Sequence, residues 1–177
     1  AETRKAKIDK KKADEMPKDS LLIVELATST IQKIPSVKNF QLAEHGNDMM
    51  VYLKDKKGDI NKEGSDLVIR DLSSTKEKTY SNIAQYLIHP KAMGVVMYQV
   101  KTKQKEAQVL LTTIADTNTK VLTKQVYTAT NFIWDEDGKQ LAYLVEKDSA
   151  DKALQKNYYL AYYSPSLETA VSIFDKS

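Results

Sequence analysis

Few side chains in this sequence offer a wide chemical repertoire. His45 and His89 are the only histidines, and cysteine is absent. A histidine acting as general base or metal ligand needs convergent carboxylates or a second imidazole, and no such spacing surrounds either position. Both fall in equivalent inter-strand turns, where exposure to solvent is expected. The acidic cluster Asp135-Glu136-Asp137 raises the question of calcium. A calcium loop sets oxygen ligands at alternating positions and closes with a later carboxylate. Asp135 and Asp137 lead into Gly138, but no carboxylate follows at loop spacing, so the cluster reads as a turn cap. Among ten tyrosines, Tyr158-Tyr159 and Tyr162-Tyr163 lie close enough to form a stacking platform for carbohydrate or peptide. Tyrosine also suits strands, with its ring packed and its hydroxyl at the rim. No residue is assigned a catalytic, cofactor-binding or metal-binding role, and no cofactor is expected.

These residues must be positioned by elements of one kind. In Asn131 to Val145, NFIWDEDGKQLAYLV, an apolar run ends in Trp134 and an acidic turn leads to a second apolar run. Gly138 accepts positive φ and the aspartates cap turn amides, so the segment reads as strand, tight turn, strand. Similar units recur. Leu26 and Leu72, Ile34 and Tyr80, Val37 and Ile83, Phe40 and Tyr86, and Tyr52 and Tyr98 each stand 46 residues apart. Tyr143 follows Tyr98 by 45, so Tyr52, Tyr98 and Tyr143 read as repeated packing residues.

The chain divides into a charged loop or insertion over 1–19, blade-like repeats over 20–64, 65–104 and 105–148, and a partial repeat over 149–177. A period in the mid-forties with four short strands per unit fits a β-propeller blade. The expected fold is all-β: a partial β-propeller of about three four-stranded antiparallel blades plus part of another, all one domain fragment. Propellers close with roughly four to eight blades, so this segment is expected to belong to a longer chain.

Composition narrows the classes. With 177 residues, 41% hydrophobic and 29% charged, the chain suits a folded domain. A net charge of +3 does not by itself imply nucleic acid. The lead AETRKAKIDKKKADEMPKD is either a basic arm for an anionic partner or a solvated loop or short helix, its acids blunting the field. Elsewhere basic residues lie mostly in loops interleaved with acids, which disfavours a nucleic-acid face. No apolar run reaches the roughly 18 residues of a membrane span. No signal peptide is visible and the first residue is not Met, so a processed or excised segment is expected.

LVIRDLSSTKEKTYSNIAQYLI and NFIWDEDGKQLAYLVEKD resemble propeller blades of the prolyl oligopeptidase family of serine peptidases, which includes dipeptidyl and acylaminoacyl peptidases. The lysine-rich lead resembles a charged blade insertion in bacterial members. The resemblance implies a two-domain parent in which the propeller caps a C-terminal α/β-hydrolase domain and restricts its cavity to peptides. The family's nucleophilic serine stands in G-x-S-x-G, with Asp and His downstream. That motif is absent, and the five glycines (Gly46, Gly58, Gly64, Gly94, Gly138) all sit in expected turns or loops. The dipeptidyl branch holds the substrate N-terminus with a Glu-Glu pair, and this segment has no adjacent glutamates. The expected role is non-catalytic gating, with the hydrolase domain and peptide substrates as partners and a periplasmic or secreted location. The rival expectation is a free-standing periplasmic propeller that binds proteins or glycans.

Overall fold

The computed structural model describes residues 4, 8–9, 17–43, 45, 48–56, 60–113, 118–148 and 156–175. Most of the charged lead, with 44, 46–47, 57–59, 114–117, 149–155 and 176–177, lies outside the described residues, and so do the expected loop glycines Gly46 and Gly58. The strands are β1 (Ser20–Glu25), β2 (Thr30–Pro35), β3 (Val37–Leu42), β4 (Met49–Lys54), β5 (Ser65–Asp71), β6 (Glu77–Ile88) and β7 (Gly94–Gln99). They continue as β8 (Gln108–Thr113), β9 (Thr119–Lys124), β10 (Thr128–Trp134), β11 (Leu141–Asp148), β12 (Asn157–Tyr163) and β13 (Val171–Asp175). A single helical turn, Ile60–Glu63, stands where the charged run 54–64 was expected to be loop throughout. Its Ile60 packs against the core, which gives an otherwise polar loop a reason to order.

Every strand pairs antiparallel with its sequence neighbour inside one of three sheets: β1-β2, β3 through β9, and β10 through β13. The seven-stranded sheet is two blades joined by one long strand. The first half of β6 pairs with β5, and its second half pairs with β7. Between the halves Asn82 takes φ 62°, turning an outer strand into the inner strand of the next blade. Ser36 does the same between β2 and β3 at φ 56°. Each of these residues accepts from a backbone amide beyond the next blade's second strand, Asp55 N to Ser36 O at 2.7 Å and Val100 N to Asn82 O at 2.9 Å. The 46-residue period therefore governs backbone conformation as well as side-chain type.

The architecture is one two-stranded part-blade, β1-β2, followed by three four-stranded blades, all-β and unclosed. The expected repeat start at 65 is the first residue of β5, the third strand of its blade, and that at 105 falls shortly before β8, the third strand of the next; the expected start at 149 lies outside the described residues.

Blades stack through alternating faces, as period-two strands require. In β7, Val95 and Met97 face the first blade, while Val96 and Tyr98 face the third. Three apolar layers result. Leu21 and Ile34 meet Met50, Tyr52 and Val68; Val51, Leu53 and Leu67 meet Val95 and Met97; Val96, Tyr98 and Leu122 meet Leu141, Tyr143 and Tyr163. Tyr52, Tyr98 and Tyr143 are all buried, as packing residues should be. They are not equivalent, however. Phe40 pairs with Tyr52, but Tyr86 pairs with Met97, because the connection between β6 and β7 is one residue shorter. The slip puts Tyr98 on the opposite face from Tyr52 and Tyr143.

Two expected loop glycines do stricter work. Gly94 opens β7, and a Cβ there would lie 2.3 Å from Thr112 O on the neighbouring strand. Gly64, at φ +64°, passes so close to the Asn82 backbone that a Cβ would meet its carbonyl carbon at 2.3 Å.

Candidate functional site on the inner-strand wall

β3, the second half of β6 and β10 each begin a blade, the position that in a propeller lies toward the central channel. Two adjoining hollows run between β3 and β6. One, of about 360 Å³, is bounded by Gln41, Leu42, Leu87 and His89. The other, of about 300 Å³, is bounded by Asn39, Phe40, Gln85 and Tyr86. Gln41 lines both, so they form one cleft along the strand direction. Among the described residues no Asp, Glu, Lys or Arg lines either hollow, whereas a smaller hollow at the loop end collects Lys38, Lys54, Asp55 and Lys56. Carboxamides of Asn39, Gln41 and Gln85 offer neutral donors and acceptors. Tyr86 closes the cleft, donating to Asn39 Oδ1 at 3.0 Å, and burial pushes its phenol up to about 12. The carboxamides and apolar side chains described there suit uncharged, hydrogen-bonding ligands.

His89 marks one end of this cleft and corrects the expectation of exposure, being 8% exposed. Its Nδ1 accepts from Lys91 N at 3.0 Å, so Nε2 carries the proton and donates to Gly138 O at 2.8 Å. The neutral ring spans two blades and leans on Trp134, with centroids 4.8 Å apart and planes at 59°. Both nitrogens are engaged, which leaves neither free as a base or ligand. His45 remains exposed. Among the described residues no group of three or more His, Asp or Glu could hold a metal ion.

The acidic turn behaves as a cap and a clamp. Asp135 Oδ1 accepts from Gln140 N at 2.9 Å, and Gly138 takes φ +70°. Asp137 meets Lys91 Nζ at 2.9 Å and Lys139 Nζ at 3.3 Å, and these hydrogen bonds hold its carboxyl below the usual range. The paired tyrosines are split by the sheet. Tyr159 and Tyr163 pack toward the second blade, with Lys120 Nζ 5.1 Å above the Tyr163 ring. Tyr158 and Tyr162 stand on the other face of β12, so neither adjacent pair forms a common platform.

Two buried charges escaped sequence reasoning. Glu146 is fully buried; its Oε2 accepts from Lys156 Nζ at 3.1 Å, and its Oε1 has no partner among the described residues. That hydrogen bond lifts the Lys156 ammonium above its ordinary value. Arg70, 6% exposed, donates to Glu77 Oε1 at 3.1 Å and Gln32 Oε1 at 2.5 Å. The signal available was a charged residue at the edge of, or within, an apolar run: LAYLVE and LVIRDL.

No protein-family model matches the chain, and no curated protein matches it. Solved structures do. The β-propeller domain of the Trilobed protease from Pyrococcus furiosus, described as having an open velcro topology, aligns over 93% of this chain and 52% of its own, at 13% identity and TM-score 0.60. Pyrococcus horikoshii acylaminoacyl peptidase aligns over 80% of this chain and 25% of its own, at 13% identity and TM-score 0.57. TolB from Acinetobacter baumannii aligns over 89% and 38%, at 15% identity and TM-score 0.51. The chain thus spans about half or less of each of these three structures. At these identities the likeness is one of fold, and that fold is the propeller. No helix among the described residues is long and apolar enough to cross a membrane.

Proposed function

We propose that this chain is the non-catalytic propeller part of a serine peptidase of the prolyl oligopeptidase family. In this reading it walls the cavity of a C-terminal α/β-hydrolase domain and limits entry to peptides, in a periplasmic or secreted parent protein. Residues 1–177 act as one propeller unit whose repeats differ in sequence and share a role. The observation that carries the proposal is the inner-strand cleft. A wall that guides peptides of varied sequence gains from neutral amides and apolar surface, because a fixed charge facing a cavity selects or repels by sign. The fold likeness to peptidase propellers supports the same reading. The wall acts by steric exclusion and by holding the entry path rigid, and bond cleavage falls to the attached domain.

The test is made on the natural protein. Its intact mass is expected to exceed the 20.0 kDa of this chain. A fluorophosphonate probe is expected to label one serine outside residues 1–177. A natural protein that takes no label loses the peptidase assignment and stands as a binding scaffold. A label inside residues 1–177 would overturn the non-catalytic role.

A further inference from the structure

The cleft between β3 and the second half of β6 is lined by consecutive residues, Asn39 to Ala43 on one strand and Ala84 to Pro90 on the other. Side chains of a strand alternate between faces, so an uninterrupted run marks a cleft bounded by strand edges. β3 is the first strand of its sheet and, among the described residues, pairs with β4 alone. Its ladder shows which backbone groups face the cleft. Ala43 N donates to Met49 O at 3.0 Å. Bonded and non-bonded pairs alternate along an antiparallel ladder. The bonded pairs are therefore Gln41 with Val51 and Asn39 with Leu53, and the backbone amides and carbonyls of Phe40 and Leu42 turn away from β4.

Two rows of side chains flank this edge. Phe40 and Leu42, on one face, are 50% and 53% exposed. Asn39 and Gln41 stand on the other. Tyr86 donates to Asn39 Oδ1, which leaves the Asn39 amide nitrogen as a donor. The corresponding edge of β6 has no such apolar row, because Tyr86 and Ile88 pack against the layer that holds Met49, Val51 and Leu53. Among the described residues no charged side chain lines the cleft, so a charge on a ligand would find no counter-ion there.

We infer that the open edge of β3 is a docking edge for an uncharged peptide in extended conformation. The peptide adds as a strand, bonding the outward backbone groups of Phe40 and Leu42. Its alternate side chains sort by face: apolar ones lie beside Phe40 and Leu42, uncharged polar ones beside Asn39 and Gln41. Backbone pairing supplies the hold, and the two rows supply selection. The inference deepens the reading of the cleft as a wall that receives peptides, and it needs no attached hydrolase.

The test uses the natural protein, treated with fluorophosphonate so that no serine can cut the probe. The probe is acetyl-Val-Ser-Val-Ser-Val-Ser-amide. At saturating peptide, hydrogen exchange at the Phe40 and Leu42 amides is expected to slow about tenfold or more. Unchanged exchange there, or slowing confined to β6 or β10, overturns the docking edge. N-methylation then tests the backbone pairing. Methylating one alternate set of residues, the valines or the serines, is expected to abolish the protection, and methylating the other to leave it. Equal effects of the two sets overturn strand addition. The label is read separately. Slowed exchange in a protein that takes no label keeps the docking edge and removes the peptidase reading, and label without slowed exchange does the reverse.

Discussion

The junction between the second and third blades and the junction between β1-β2 and the first blade use the same stacking principle with different completeness. At the former, Val96, Val109, Leu141, Tyr143 and Val145 are each no more than 1% exposed, and the His89–Gly138 bridge closes the loop end. At the latter, the dry layer is small and Arg70 intrudes on it. Arg70 and Tyr52 share Glu77 Oε1, each at 3.1 Å, while Arg70 Nε finds no partner among the described residues. Glu77 keeps 38% of its side chain exposed, which lowers the cost of holding the pair there. Two outer strands alone cover the outer half of a neighbour, and polar groups are tolerated where that cover ends. The depth of a blade interface is therefore set by strand number before side-chain choice.

Equal substitutions at the two junctions should cost unequally. Leu141→Ala is expected to lose about 3–4 kcal/mol, because a closed layer relaxes little around the cavity. Leu21→Ala, at an open-edged layer, is expected to lose about 2 kcal/mol. Urea unfolding midpoints at constant m-value report both, and equal or reversed losses would break the comparison.

A smaller effect sharpens the view of the closed junction. A Cβ on Gly138 would lie 2.1 Å from His89 Cε1, at a backbone φ of +70°. Gly138→Ala is expected to cost about 2 kcal/mol through contact and conformation together. Combining it with His89→Ala separates the two causes. A coupling of about 1 kcal/mol in the double-mutant cycle assigns the contact, and strict additivity assigns the whole cost to backbone conformation.

The strands and the acidic turn were legible in the sequence because each depends on neighbours within a few residues, and the period because side-chain types recur 46 residues apart. The alternation of β7 and β11 and the Asp-rich turn before Leu141 are local signals. The facing of Tyr98 was not legible. It depends on one residue missing between Tyr86 and Met97, and an offset of 46 matches tyrosine to tyrosine across that slip. Burial of His89 was equally hidden, since Gly138, its partner across the blades, lies 49 residues on. The inner-strand cleft depends on how two blades sit together, and its carboxamides look like ordinary strand residues in sequence. Arg70 and Glu146 did leave a trace. A charge within or closing an apolar strand predicts a partner, though it does not say which.

The smallest effect distinguishes the junctions by their electrostatics. Phenols of Tyr52 and Tyr86 are both pushed up to about 12, from a free value of about 10. For Tyr86 the cause is burial alone; for Tyr52 it is burial, followed by the charge and hydrogen bond of Glu77. The folded state holds these protons where the unfolded state releases them. Each contribution is thus complete below about pH 10 and is lost as pH rises from there through about 12. Tyr52→Phe and Tyr86→Phe are each expected to flatten the fall in stability between pH 9 and 11, read from urea midpoints. Added salt should shrink the Tyr52 effect, because it screens the Glu77 charge, and leave the Tyr86 effect in place. Equal salt sensitivity at the two positions would mean that Glu77 does not act on Tyr52, and the open junction would lose its electrostatic distinction from the closed ones.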